Sequence, residues 1–194
     1  MRKIKILPLI LLTSTGFVID SCNNQDDTVQ QPAQNNSKPP AIMDATFTFK
    51  DPGQDKKWFM TKDLTIRPSE IILVFRNQNS NTSLSAAWAP LPDTRYYSDM
   101  DSLPMDERDL IYNFVYDNSG IDIGINTKRD LRTISTADKN RYLNNQTFRL
   151  VIVPGANVAA KSAKIGSPVD YNDYQAVISY YHLNDTHVPS VQIK

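Results

Sequence analysis

Leu110-Ile111-Tyr112-Asn113-Phe114-Val115-Tyr116, then Asp117-Asn118-Ser119-Gly120, then Ile121-Asp122-Ile123-Gly124-Ile125 read in succession as strand, turn and strand. Leu110, Tyr112, Phe114 and Tyr116 recur at every second position, which puts them on one face of a pleated strand. Ile121, Ile123 and Ile125 repeat that spacing after a turn made of Asp, Asn, Ser and Gly, residues whose short polar side chains or φ freedom suit a reversal. A β-hairpin follows, and with it a domain whose governing period is two.

The same reading extends outward. Ile71-Ile72-Leu73-Val74-Phe75 is continuously apolar, as in a central strand covered on both faces. Phe148 to Val153 makes another buried strand, ended by Pro154-Gly155. Thr46-Phe47-Thr48-Phe49-Lys50 alternates, breaks at Asp51-Pro52-Gly53 and resumes at Trp58 and Phe59, which predicts a second hairpin with a longer turn. Two segments have helical character. Ser135-Thr136-Ala137-Asp138 is a capping-box opening for a short helix toward Leu143. From Asp170 to Tyr181, Tyr174, Val177, Ile178 and Tyr181 recur at helical spacing behind Asp170 as N-cap. The predicted class is all-β: an antiparallel, immunoglobulin-like β-sandwich with a short C-terminal helix.

Ahead of this domain the composition changes. Arg2, Lys3 and Lys5 precede an apolar run from Ile6 to Ile19, too short for the roughly 20 residues a spanning helix needs and suited to a secretory signal. The run ends Val18-Ile19-Asp20-Ser21-Cys22, which resembles a bacterial lipobox around the only cysteine of the chain. Residues 1–21 are then a lipoprotein signal peptide, and Cys22 is the lipidation site, tied to the bilayer by its acyl chains. Gln25-Asp26-Asp27 resembles the short acidic export signal of Bacteroidota surface lipoproteins. The predicted location is the outer membrane, at the cell surface rather than the periplasmic face. Residues 22–41 are polar, with Val29 as the one sizeable apolar side chain, and make a flexible linker. Residues 42–194 are the β-sandwich domain, long enough to bury a core without disulfides.

The chain has 194 residues, with 21 Lys and Arg against 21 Asp and Glu. Without residues 1–21 the balance is 18 to 20, a net of −2. Such a balance argues against a nucleic-acid partner, whose phosphates call for a basic surface. One cysteine excludes an intrachain disulfide framework and a multi-cysteine zinc site.

No sequence motif of a serine hydrolase, a nucleotide-binding loop or a zinc protease is present. His182 and His187 are five apart and read as solvated tail residues. Asp99, Asp101, Asp106, Glu107 and Asp109 crowd one loop, but the calcium-loop pattern is incomplete, and a solvated acidic loop is the better account. Lys128, Arg129 and Arg132 form a small basic cluster tempered by Asp130. Asp27-Thr28-Val29 and Asp101-Ser102-Leu103 resemble Bacteroidota O-glycosylation acceptors. Neither catalytic residue, metal ligand nor cofactor is predicted.

The long irregular stretch from Asn77 to Arg108 holds Trp88, Tyr96 and Tyr97, aromatics suited to stacking on a sugar or peptide. The competing and favoured reading has Trp88 plugging an open end of the sandwich, with part of Leu84 to Ala89 a further strand.

Trp88-Ala89-Pro90-Leu91-Pro92, Leu110 to Phe114, Thr147 to Gly155 and Tyr171 to Val177 together resemble a group of uncharacterised secreted proteins and lipoproteins of Bacteroidota. The resemblance implies fold and compartment and supplies no catalytic residue. The functional expectation is a non-catalytic binding or structural module at the cell envelope, with an envelope glycan or protein as partner. The alternative is a carboxylate-dependent enzyme acting on glycans.

Overall fold

A computed structural model describes residues 39–53, 58–155 and 169–193. The chain divides into two units, Met1–Ala33 and Gln34–Lys194, and the described residues belong to the second. The signal segment, Cys22, Thr28 and the linker as far as Lys38 lie outside the described residues. Among the described residues no helix is long and apolar enough to cross a membrane.

Two sheets carry the fold. The first contains β1 (Ala41–Phe47), β3 (Glu70–Asn77), β4 (Trp88–Pro90), β8 (Gln146–Pro154) and β9 (Ser190–Gln192), in the order β4-β3-β8-β1-β9. The second contains β2 (Trp58–Asp63), β5 (Asp93–Tyr96), β6 (Asp109–Tyr116) and β7 (Gly120–Asn126), in the order β2-β7-β6-β5. The expected hairpin is β6–β7, in register from Ile111 opposite Asn126 to Tyr116 opposite Ile121. Its turn is closed by the Asp117 carboxylate, whose Oδ1 accepts from the Ser119 and Gly120 amides at 2.7 and 3.0 Å. The Ser119 hydroxyl, which donates to the same oxygen at 2.6 Å, and then these amides hold the Asp117 carboxyl below its ordinary range.

Inward faces of both sheets meet in one core. Ala45 and Phe47 of β1, Ile72 and Val74 of β3, and Phe148 and Leu150 of β8 face Leu110 and Tyr112 of β6 and Ile121, Ile123 and Ile125 of β7. Phe47 stacks on Phe148 with centroids 5.1 Å apart. The outward face of the first sheet is covered too. Helix α2 (Tyr174–Tyr180) buries Tyr174, Val177 and Ile178 against Phe75, Val151 and Val153. This second cluster is why Ile71–Phe75 and Phe148–Val153 are apolar at nearly every position: each strand has two dry faces. The shorter helix α1 (Thr136–Tyr142) starts as its sequence predicts, with Ser135 Oγ accepting from the Asp138 amide at 3.0 Å.

Three expectations are corrected. β1 and β2 do not form a hairpin: β1 pairs with β8 and β9 in one sheet, and β2 with β7 in the other. Phe47 and Phe49 alternate because both enter the shared core, their rings 4.9 Å apart, as the chain leaves β1. The Phe49 amide already bonds the Leu143 carbonyl rather than a strand partner. The sandwich is also not purely antiparallel, since β9 runs parallel to β1 with Ala45 opposite Val191. β9 runs antiparallel to β8, the strand before it in the chain, and lies beyond β1, which is itself antiparallel to β8, so β9 and β1 point the same way. Finally, α2 starts later than the apolar spacing suggests. Its N-cap is Asp173, whose Oδ1 accepts from the Gln175 and Ala176 amides, while Asp170 closes a preceding turn.

Candidate functional site

The three aromatics singled out in the 77–108 stretch have different surroundings. Trp88 opens β4 and packs beneath α2, its ring 5.7 Å from that of Tyr174 and 4.1 Å from the Arg149 guanidinium. It therefore fills the layer between the first sheet and the helix, not an open end of the sandwich. Tyr97 is 2% exposed. Its hydroxyl meets Thr127 Oγ1 at 3.0 Å, its ring meets Tyr142 edge-on at 5.9 Å, and burial pushes its hydroxyl pKa up. Tyr96, the last residue of edge strand β5, is 59% exposed. Of the three, Tyr96 alone is exposed, Trp88 being half-buried.

Tyr96 stands at a pocket of about 240 Å³ where β5, the end of β3 and the last turn of α1 converge. Three arginines line it: Arg76 from β3, Arg95 from β5 and Arg141 from α1, with Gln78 and Thr94 beside them. Arg76 continues the inward alternation of Ile72 and Val74, so its charge is carried into the interior, 2% exposed. There it is fully provided for. Nε and Nη2 donate to Gln146 Oε1 at 3.2 and 2.8 Å, Nη1 donates to Asp93 Oδ2 at 3.2 Å, and the guanidinium lies 4.3 Å over the Tyr112 ring. Burial pushes the Tyr112 hydroxyl pKa up, so this ring is neutral at every physiological pH.

Arg95 and Arg141 are less well matched. Asp93 and Arg95 share a face of β5 two residues apart, and Arg95 Nε donates to the same Asp93 Oδ2 at 2.9 Å. One carboxylate oxygen thus serves two guanidiniums. Arg95 Nη2 is buried and finds no acceptor among the described residues. An unmatched buried donor costs about 1–3 kcal/mol, more when charged. Arg141, in the last turn of α1, has Tyr142 as its contact at 5.6 Å, and no carboxylate pairs with it among the described residues. The pocket therefore holds three guanidiniums against Asp93.

Elsewhere the two charge clusters read from the sequence meet in two ion pairs. Asp99 takes a forked pair from Arg129 at 2.6 and 2.8 Å, and Asp106 accepts from Lys128 Nζ at 2.8 Å. The Arg129 hydrogen bonds hold the Asp99 carboxyl below its ordinary range. Among the described residues no three His, Cys, Asp or Glu side chains gather as metal ligands. His182 and His187 are both exposed, and Ser102 is exposed with its hydroxyl on the Asp99 carbonyl at 2.7 Å.

Sequence reading did not single out Arg76, Arg95 or Arg141. A signal was present for the first: an arginine two places beyond Val74 on a strand whose alternate side chains face inward is a charge entering the core, and such a charge needs partners. Asp93-Thr94-Arg95 carried the second, as opposite charges two apart on one strand face. Arg141 comes to the pocket only through the packing of α1. Comparison with protein-family models, with curated proteins and with solved structures gives no match.

Proposed function

We propose that this chain is a lipoprotein, held in the outer membrane by an acylated Cys22 and displayed at the cell surface, whose immunoglobulin-like sandwich is a non-catalytic module that binds an envelope glycan or protein. The anchoring half rests on sequence: a basic start, a short apolar run and a single cysteine at its end. Two or three acyl chains, at about 0.8 kcal/mol per buried methylene, give stable attachment where one would be marginal. The immunoglobulin-like reading draws support from two facing sheets of short strands, with the chain passing between sheets from β1 to β2 and from β4 to β5. The binding half is carried by one observation, an exposed tyrosine, Tyr96, among the residues lining a pocket where Arg95 Nη2 has no acceptor and Arg141 no carboxylate partner among the described residues. A rigid scaffold presenting an aromatic with uncommitted hydrogen-bond donors supports recognition. Turnover would call for a free acid and base, and Asp93, the carboxylate that pairs with the pocket's arginines, is engaged by two of them.

The test has two arms. Intact-mass analysis of the mature protein should find Cys22 as first residue with lipid mass, and Cys22→Ser should release the protein from membranes; an unmodified Cys22 overturns the anchoring. Purified protein should retain envelope polysaccharide or protein in a Tyr96-dependent manner without altering it. Polysaccharide cleavage abolished by a single Asp or Glu substitution that leaves the fold intact overturns the non-catalytic reading.

A further inference from the structure

We propose that the Arg95–Arg141 pocket takes the oxyanion group of an acidic saccharide, a carboxylate or sulfate, with the Tyr96 ring against the sugar. The inference rests on the reading of this domain as a binding module and names its ligand class.

Charge is the first argument. Asp93 Oδ2 is shared between Arg76 Nη1 and Arg95 Nε, so a single negative charge is divided over two guanidiniums while a third, Arg141, has no carboxylate partner among the described residues. An anion entering the pocket completes this balance. Geometry is the second argument. Arg76 is locked by Gln146, Asp93 and Tyr112 and forms the floor. Arg95 uses only Nε on a protein acceptor, so its terminal nitrogens lack the oxyanion, planar or tetrahedral, onto which guanidinium groups fork. Nη2 is closed off in this arrangement, and the side chain, 27% exposed, has to turn its guanidinium toward the pocket to use it. Arg141 is exposed and reaches the same opening from α1.

The neighbours of the arginines favour a saccharide as carrier of the charge. Tyr96 lines the same opening at the edge of β5 from the strand face opposite Arg95, and its exposed side chain is an apolar platform for the C–H face of a pyranose that extends out of the pocket. Gln78 and Thr94, both exposed, bring neutral donors and acceptors suited to hydroxyl groups. The volume, about 240 Å³, lies below the roughly 300–1,000 Å³ of pockets for drug-sized ligands and fits one charged ring of a longer chain.

Calorimetric titration of the full chain in detergent tests this with five probes: tetragalacturonate, its methyl ester, a chondroitin sulfate tetrasaccharide, neutral galactotetraose and hexaglutamate. At least one of the two acidic saccharides should bind saturably: binding of tetragalacturonate shows that a carboxylate suffices, whereas binding of chondroitin sulfate alone, which carries carboxylates as well as sulfates, shows that a carboxylate by itself does not. Methyl esterification, or Arg141→Gln at unchanged thermal stability, should weaken binding about tenfold or more. Tyr96→Ala should weaken it by about three- to tenfold. Galactotetraose bound as tightly, hexaglutamate bound more tightly than either saccharide, indifference to Arg141→Gln, or no saturable binding of either acidic saccharide overturns the inference. Tyr96-dependent retention of a neutral glycan or of a protein would defeat it while leaving the binding-module reading intact, whereas cleavage of a probe would defeat that reading itself.

Discussion

Arg149 stands directly opposite Asp44 across the β8–β1 ladder and forks onto it, Nε to Oδ1 at 2.7 Å and Nη2 to Oδ2 at 2.9 Å. Both side chains are largely buried, at 8% and 16% exposure, on the sheet face that α2 covers. The third corner of the guanidinium donates to the Tyr174 hydroxyl, which in turn donates to Asp185, and its flat face lies over Trp88. A polar chain thus ties β1, β8, β4 and α2 together inside an otherwise apolar layer.

Asp44→Ala should therefore be strongly destabilising, by about 3–5 kcal/mol, because it leaves a buried guanidinium without its counter-charge. The double replacement Asp44→Leu with Arg149→Met should cost much less, since it removes both desolvation penalties. Urea denaturation of the three proteins checks this. A single-mutant loss below about 1 kcal/mol would show that the pair is solvated and contributes as a surface bridge does.

Gly120 faces a different constraint. A Cβ placed there would sit 2.8 Å from the Lys62 carbonyl oxygen, a backbone atom held by the β2–β7 ladder that cannot yield without moving the strand. Gly120→Ala is expected to cost about 1–3 kcal/mol. A variant as stable as the parent would mean that β2 can shift away from β7 at this end.

Much of this fold is legible in the residues themselves. The β6–β7 hairpin, the two-faced strands β3 and β8, and the Ser135 cap all follow from local period and turn chemistry. Partner choice between sheets does not. Thr46–Lys50 and Trp58–Phe59 look like two arms of a ribbon because alternation reports a buried face, and the same face is needed whether the neighbour is a hydrogen-bonded strand or a sheet across the core. The candidate site is harder still. Tyr96 and Tyr97 are adjacent and chemically identical, yet one is 59% and the other 2% exposed, because neighbours on a strand face opposite ways and the side that is inward depends on α1. Arg141 enters the pocket only by that helix's packing.

Alkaline titration should expose the layer beneath α2. Burial, reinforced by the bond to Asp185, pushes the Tyr174 hydroxyl up to about 12, against about 10 in an unfolded chain. The folded state then holds a proton that the unfolded state has released. The stability this contributes is complete below pH 10 and is lost as pH rises toward 12. Tyr174→Phe cannot release that proton, so its stability should fall less steeply between pH 10 and 12 than that of the parent. Parallel decline of the two denaturation midpoints would place the Tyr174 ionisation outside the folding equilibrium.

Tyr96 and Tyr97 offer the cleanest separation of recognition from stability. Tyr97→Ala removes a ring packed on Tyr142 and under Arg129, and should cost about 3–5 kcal/mol, as buried aromatic truncations do. Tyr97→Phe removes only the hydroxyl bond to Thr127 and should cost about 1 kcal/mol. Tyr96→Ala should stay within about 0.5 kcal/mol of the parent, because its ring is exposed and its one structural bond is made by the backbone. That bond, from the Tyr142 hydroxyl to the Tyr96 carbonyl at 2.6 Å, survives truncation of the side chain. Thermal denaturation with the ligand assay on the same samples completes the comparison. Loss of binding in Tyr96→Ala at parental stability assigns the ring to the ligand, whereas a large stability loss there would return Tyr96 to the packing of the fold.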